Sequence, residues 1–259
     1  PDFAAWNRVV QAHIAPAQMD GITTHRVDYA AVAVSPDFHA FLQSLQAVNV
    51  GTLSKGAFYA TMMNAYNAFA IKTIVDNACQ PGSCSPIASI GDINKAAGGP
   101  WSKPVGNIGG NVVSLQQIED QLRHPGRFPS DPRVHACITC ASISCPNLPL
   151  EAFQPEAVEA QMTARMQALL GNPQKGFALD MASKTVTLSK VFDWYKGDFV
   201  ATSGSVVDFI MPYAPAEAGQ FLAANKQFVT VASFPWDRNL NGQAPCQCGA
   251  AVAPQQAYT

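Results

Sequence analysis

"WSKPVGNIGGNVVSLQQIEDQLRH", residues 101–124, changes its periodicity half-way along. Up to Ser114, apolar and polar residues alternate about Gly109-Gly110, the pattern of a β-hairpin. From Leu115 the apolar residues take up helical spacing, with Ser114 placed as the N-cap. A hairpin that runs straight into a helix is not the start of a βαβ unit, and the flanking sequence keeps to that reading. On the N-terminal side the spacing predicts helices in "DFAAWNRVVQAHIAPA", from Ser35-Pro36 onward, and over 53–77. The last of these carries Asn64 and Asn67 within an apolar body. On the C-terminal side come a strand "RVHACIT", a helix over 155–170, a second hairpin "GFALDMASKTVTLS", short helical pieces, and a strand "QFVTVASF". Helices first and hairpins later, without βαβ alternation, predict an α+β fold, with N-terminal helices packed on an antiparallel sheet. One domain is expected over residues 1–250, followed by a disordered tail at 251–259.

Composition narrows the function. The chain has 259 residues, 48% hydrophobic and 13% charged, with a net charge of −2 and no block of like charge. That is not the electrostatic footprint of a nucleic-acid binder. No apolar run reaches membrane-spanning length, so no membrane span is expected. An opening Pro1 in place of methionine is what removal of a leader would leave.

Seven cysteines are the strongest compositional signal. Cys79 and Cys84 ("CQPGSC") and Cys246 and Cys248 ("CQC") are two close pairs in loops. Loop disulfides in an oxidising compartment are the simplest reading, which places the chain in the periplasm or outside the cell. An odd count leaves at least one cysteine unpaired within the chain.

The other three lie in "RVHACITCASISCP", residues 133–146. Cys137 and Cys140 match C-x-x-C, but on a strand they point to opposite faces, and no helix start lowers their thiol pKa. His135, Cys137, Cys140 and Cys145 add up to four zinc ligands, crowded into one segment. No metal or other cofactor is expected. A Cys140–Cys145 disulfide would staple a turn. Alternatively Cys140 is a nucleophile and His135 its base, provided the strand ends near Thr139 and the chain turns back. Glu119, on the preceding helix, is then the acid placed to orient the imidazole, with Asn64 and Asn67 as further polar candidates. Arg133 is an alternative partner for Glu119. Trp101, Trp194, Tyr195 and Trp236 read as core aromatics, and Asp131-Pro132 reads as a turn.

Four blocks together resemble the DUF547 family: "NAYNAFAI" (64–71), "VSLQQIEDQLR" (113–123), "DPRVHACITCASISCPNL" (131–148) and "LSKVFDWYKGDF" (188–199). They occur in order, with a family core of about residues 55–200. The resemblance implies an α+β fold related to papain-like cysteine peptidases. It places a Cys–His constellation on Cys140 and His135 with Glu119 as the motif acid, and Asn64, Asn67, Arg133, Ser142 and Cys145 at further motif positions. Cys137 departs from the small apolar residue usual there.

The expected function is that of a cysteine-nucleophile hydrolase or acyl transferase acting on an amide-type bond in a small-molecule or peptide substrate. Its rival is a non-enzymatic, secreted binding module stabilised by a Cys140–Cys145 disulfide. Oligomeric state is not legible in the sequence.

Overall fold

A computed structural model describes residues 1–93 and 99–247. The expected tail at 251–259 lies outside the described residues. The fold is α+β. Helix α1 (Phe3–His13) leads into a hairpin of β1 (Ile14–Met19) and β2 (Ile22–Val27). Helices α2 (Tyr29–Ala33), α3 (Pro36–Leu45) and α4 (Lys55–Asp76) follow. Next come the hairpin β3 (Pro104–Ile108) and β4 (Asn111–Ser114), helix α5 (Leu115–Arg123), a 3-10 helix (Pro132–Ala136) and α6 (Val158–Leu170). The C-terminal part holds β5 (Phe177–Asp180), β6 (Thr185–Leu188), α7 (Val191–Trp194), α8 (Lys196–Ser203), α9 (Val206–Ile210), α10 (Ala216–Asn225) and β7 (Thr230–Ser233).

Local chemistry sets most of these boundaries. Ser114 and Gln117 form a reciprocal capping box at the start of α5, which satisfies two otherwise orphaned N–H groups. Ser35, with Pro36 in the first turn, starts α3, and Ser54 caps α4. The β3–β4 turn places both Gly109 and Gly110 at positive φ, as a two-residue hairpin turn of this hand requires. The β1–β2 hairpin was not expected, yet its Asp20-Gly21 turn also has both residues at positive φ.

In place of the one antiparallel sheet expected, the strands of the described residues form three small sheets. Two are isolated hairpins. The third adds β7 to the β5–β6 hairpin, and β7 runs parallel to β6. The core is organised by α4 instead. Its buried residues face every direction, the mark of a helix enclosed by the rest of the protein. Against it pack α2, α3, α5 and α6, while Trp6 of α1 stacks on Phe41 of α3 at 5.3 Å.

Two hydrophobic clusters result. The larger surrounds α4, and the smaller gathers α6–α10 with β5 and β6. They meet at the 3-10 helix, where Val134 belongs to the first and Ala136 to the second. That segment was expected to be a strand. Asp131 instead accepts from the Arg133 N–H, and Pro132 supplies a pre-set φ at the first helical position, so the chain coils.

Cysteine pairing also departs from the local pattern. Cys79 is joined to Cys246 across 167 residues, tying the C-terminal segment to the loop after α4. Cys84 is disulfide-bonded as well. Neither Cys79–Cys84 nor Cys246–Cys248 is therefore a pair. No helix among the described residues is long and apolar enough to cross a membrane.

Candidate active site

A cleft of about 490 Å³ opens between the two clusters. Its walls come from α4 (Tyr66), α5 (Glu119, Arg123), the 135–146 segment, the α7–α8 junction (Trp194, Tyr195) and the C-terminal segment (Trp236, Arg238). His135 and Cys140 both line it. The 3-10 helix, not a strand, carries His135, so the opposite-face geometry of a strand does not apply.

His135 is the most constrained side chain in the cleft. It is almost completely buried, and its Nε2 lies 2.8 Å from Asp198 Oδ2. The same carboxylate accepts from Arg123 through Nε (2.7 Å) and Nη2 (3.0 Å). The ring stacks on Tyr195 at 4.0 Å and tilts against Phe199 at 5.5 Å. The His135 hydrogen bond and the Arg123 guanidinium hold the Asp198 carboxyl well below the usual carboxylate range, against the opposing effect of burial. A carboxylate only accepts, so Nε2 carries the proton and Nδ1 is left as the basic nitrogen.

The acid that orients the imidazole is thus Asp198, not Glu119. Glu119 does line the cleft, but it accepts from the Tyr66 hydroxyl at 3.5 Å and also bonds Tyr195. Burial, reinforced by Glu119, raises both phenols above their ordinary pKa. Helix α5 therefore presents Glu119 to the tyrosines and Arg123 to Asp198.

Cys140 is half-buried, Cys145 is buried, and the two are joined in a disulfide with Cα atoms 6.0 Å apart. The Cys140 N–H donates to Cys145 Sγ at 3.1 Å, and Ser142 Oγ lies 3.1 Å from the same sulfur. The loop that carries this bridge is held from both sides. Asn67 donates to the Cys137 carbonyl and accepts from the Thr139 N–H, both at 2.9 Å. From the C-terminal segment, Asn241 N–H donates to the Ala141 carbonyl, while Ile143 N–H donates to the Asn239 carbonyl. Between these anchors Ala141 takes φ 62°. A non-glycine residue there costs of order 1–3 kcal/mol and persists only when its surroundings impose it.

The remaining expected residues sit around the cleft rather than in it. Asn64 holds the backbone of Phe153 through both ends of its amide. Arg133 pairs with Asp131 and with Glu159 of α6, so it does not compete for Glu119. Cys137 is a free, buried thiol that donates to the Arg133 carbonyl. Burial pushes it up to about 12, and Cys140 is bonded to Cys145 rather than to Cys137, so the two do not form a C-x-x-C pair. Among the described residues, no group of three or more His, Cys, Asp or Glu could hold a metal ion. Trp101, Trp194, Tyr195 and Trp236 all wall the cleft; Trp101, Tyr195 and Trp236 also pack against the hydrophobic clusters, whereas Trp194 is 50% exposed. Asp198 stands in the "LSKVFDWYKGDF" block but is not among the residues the sequence marks as a site.

Residues 50–170 match the family model described as Protein of unknown function, DUF547. This stretch is a DUF547 domain. No curated protein and no solved structure matches the chain. The DUF547 match contains Tyr66, Glu119, Arg123, His135, Cys140 and Cys145. Asp198, Tyr195, Trp194 and Trp236 lie beyond it. The DUF547 segment therefore supplies the histidine and cysteines, and the chain after it supplies the orienting carboxylate and most of the aromatic wall.

Proposed function

We propose that this protein is a cysteine-nucleophile hydrolase or acyl transferase for an amide-type bond, closed by the Cys140–Cys145 disulfide and opened by its reduction. The observation that carries the reading is the imidazole of His135, fixed through Nε2 on Asp198 with no hydrogen bond on Nδ1 among the described residues, in the same cleft as Cys140. Two equivalents of an external thiol reduce the bridge, giving the thiols of Cys140 and Cys145 and one external disulfide. Nδ1 of His135 then takes the Cys140 proton as the sulfur adds to the substrate carbonyl. The imidazolium returns that proton to the leaving amine as the C–N bond breaks. Water or an acceptor amine attacks the resulting thioester and frees the Cys140 thiol. Asp198 is a positioning residue that stabilises the imidazolium. The amides of Asn64 and Asn67 are engaged with backbone and the Ala141 N–H donates to Thr139 Oγ1 at 3.4 Å, so the oxyanion site falls to the Ser142 backbone N–H. The aromatic walls and a volume in the range of small-ligand sites suit a small-molecule or peptide substrate. The disulfides, that of Cys84 among them, fit an oxidising compartment, periplasmic or extracellular.

The bridge itself favours a second reading, a binding module in which Cys140 is permanently tied. Acyl trapping separates the two. After mild reduction, an activated acyl ester should acylate Cys140, as seen by peptide mass mapping. The adduct should be lost in unreduced protein and in His135→Ala. Acylation indifferent to His135, or a bridge that resists every reductant that leaves the protein folded, would establish the binding module instead.

A further inference from the structure

A disulfide sulfur carries no proton, so a hydroxyl bonded to it is the donor. Ser142 Oγ lies 3.1 Å from Cys145 Sγ and 3.5 Å from Cys140 Sγ, and the shorter contact gives its proton to Cys145. The Cys140 N–H donates to the same sulfur at 3.1 Å. Two donors thus converge on Cys145 Sγ, while Cys140 Sγ has only the longer contact among the described residues. The turn that carries them is fixed. Ser142 is 4% exposed, its carbonyl accepts from the Cys145 N–H at 3.1 Å, and Lys175 Nζ donates to the carbonyls of Ile143 and Cys145 at 2.7 Å each.

The two sulfurs also differ in access. Both cysteines line the cleft, but Cys140 is half-buried and Cys145 is 2% exposed. Thiol–disulfide exchange is governed by which sulfur an incoming thiolate reaches and by how stable the departing thiolate is. Hydrogen bonds to a thiolate are charge-assisted and stronger than those to a neutral sulfur, so the paired donors favour Cys145 as the departing group. Access and leaving-group stability select the same direction of attack.

We propose that Cys140 is an S-thiolation site for small thiols of the glutathione class, with Ser142 as the positioning residue that holds the departing Cys145 thiolate. The external thiolate attacks Cys140 Sγ from the cleft. A new S–S bond forms to Cys140, the Cys140–Cys145 bond breaks, and its electron pair leaves on Cys145 Sγ. One disulfide replaces another, so no oxidant is consumed. In reverse, the Cys145 thiolate attacks Cys140 Sγ and expels the external thiolate. A second external thiol instead removes the cap as an external disulfide and frees Cys140. Cys140 therefore has a capped state between the bridged and the free ones. Capping requires a reducible bridge, as the proposed function does, but no acyl chemistry at Cys140.

Trapping tests it. The full chain, treated with reduced glutathione and quenched with acid, should carry glutathione on Cys140 at least about tenfold more often than on Cys145 in peptide mass mapping. Release of glutathione from that adduct, followed against pH, gives the apparent pKa of Cys145. It should lie at least about one unit below the 8.5 of free cysteine and rise toward it in Ser142→Ala. Glutathione mainly on Cys145, no adduct on either sulfur, or the same release profile in wild type and Ser142→Ala would overturn the proposal. If Ser142→Ala does not fold, the mapping and the wild-type profile decide, and a Cys145 pKa at or above that of free cysteine counts against it. A Cys140 adduct in protein that fails acyl trapping supports the capping site and removes the hydrolase. Acylation of Cys140 after dithiothreitol reduction, without any glutathione adduct, does the reverse.

Discussion

Replacing Asp198 by asparagine removes the charge and one acceptor oxygen while keeping the shape. Both carboxylate oxygens face N–H donors: Oδ1 takes Arg123 Nη2, and Oδ2 takes Arg123 Nε and His135 Nε2. Whichever oxygen becomes NH2 therefore meets a donor, and at least one bond is lost with both groups left unpaired. A hydrogen bond to a charged group is worth about 1.5–3 kcal/mol. The Asp198 and Arg123 side chains are 18% and 24% exposed, so solvent recovers part of the loss, and a net cost of about 2 kcal/mol is expected. For a chain of this size that is a fall of roughly 4–8 °C in the unfolding midpoint. Loss of stability alone would not single out the imidazole. Arg123→Met is the control, because it breaks the Arg123 bonds but leaves His135 on its carboxylate. After mild reduction, iodoacetamide should alkylate Cys140 in Asp198→Asn at least about tenfold more slowly than in wild type near neutral pH, a change of about 1.4 kcal/mol. Arg123→Met should stay within about threefold. Equal Cys140 rates in wild type and Asp198→Asn would refute the claim that Asp198 governs the base.

Further consequences can be checked separately. The depressed Asp198 carboxyl stabilises the fold fully above about pH 4, where an unfolded aspartate ionises, and that contribution is lost as pH falls further. Urea titrations from pH 6 to pH 2.5 should therefore show a shallower acid loss in Asp198→Asn. Asn67→Ala leaves the Cys137 carbonyl and Thr139 N–H unpaired in a buried setting, and should cost about 2–4 kcal/mol in chemical denaturation. Opening the 167-residue bridge by Cys79→Ser with Cys246→Ser should cost up to about 5 kcal/mol in the chain-entropy account, read as a lower denaturant midpoint. Cys137, whose buried thiol is pushed up to about 12, should stay unlabelled in native protein while labelling fully after unfolding.

What the sequence disclosed follows the range of the forces involved. Caps and turns are local, so the starts of α3 and α5 and the Gly109-Gly110 hairpin were legible from Ser35, Ser114 and the glycine pair. The Asp20-Gly21 turn carried an equally local signal and was passed over. "RVHACIT" misled because Val134, Ala136 and Ile138 alternate like a buried strand, while the deciding feature, Asp131-Pro132 as cap and first turn, sits just ahead of them. The alternation instead places Val134 and Ala136 in different hydrophobic clusters. Long-range pairings left no local trace. Asp198 is 63 residues from His135, and Cys246 is 167 from Cys79, whereas Glu119 and Cys84 were simply nearer in the chain. Trp194 reads as core and is 50% exposed, because bulk and apolarity do not say which side of a wall a residue faces.

The ionisation of Cys140 tests the central claim most directly. With the bridge selectively reduced, the rate of Cys140 alkylation followed from pH 4 to pH 10 gives the apparent thiol pKa. If His135, held on Asp198, serves as its base, that value lies at least about two units below the 8.5 of free cysteine and returns toward it in His135→Ala. A value at or above 8.5 that does not change in His135→Ala would contradict the account and leave a disulfide-braced binding cleft.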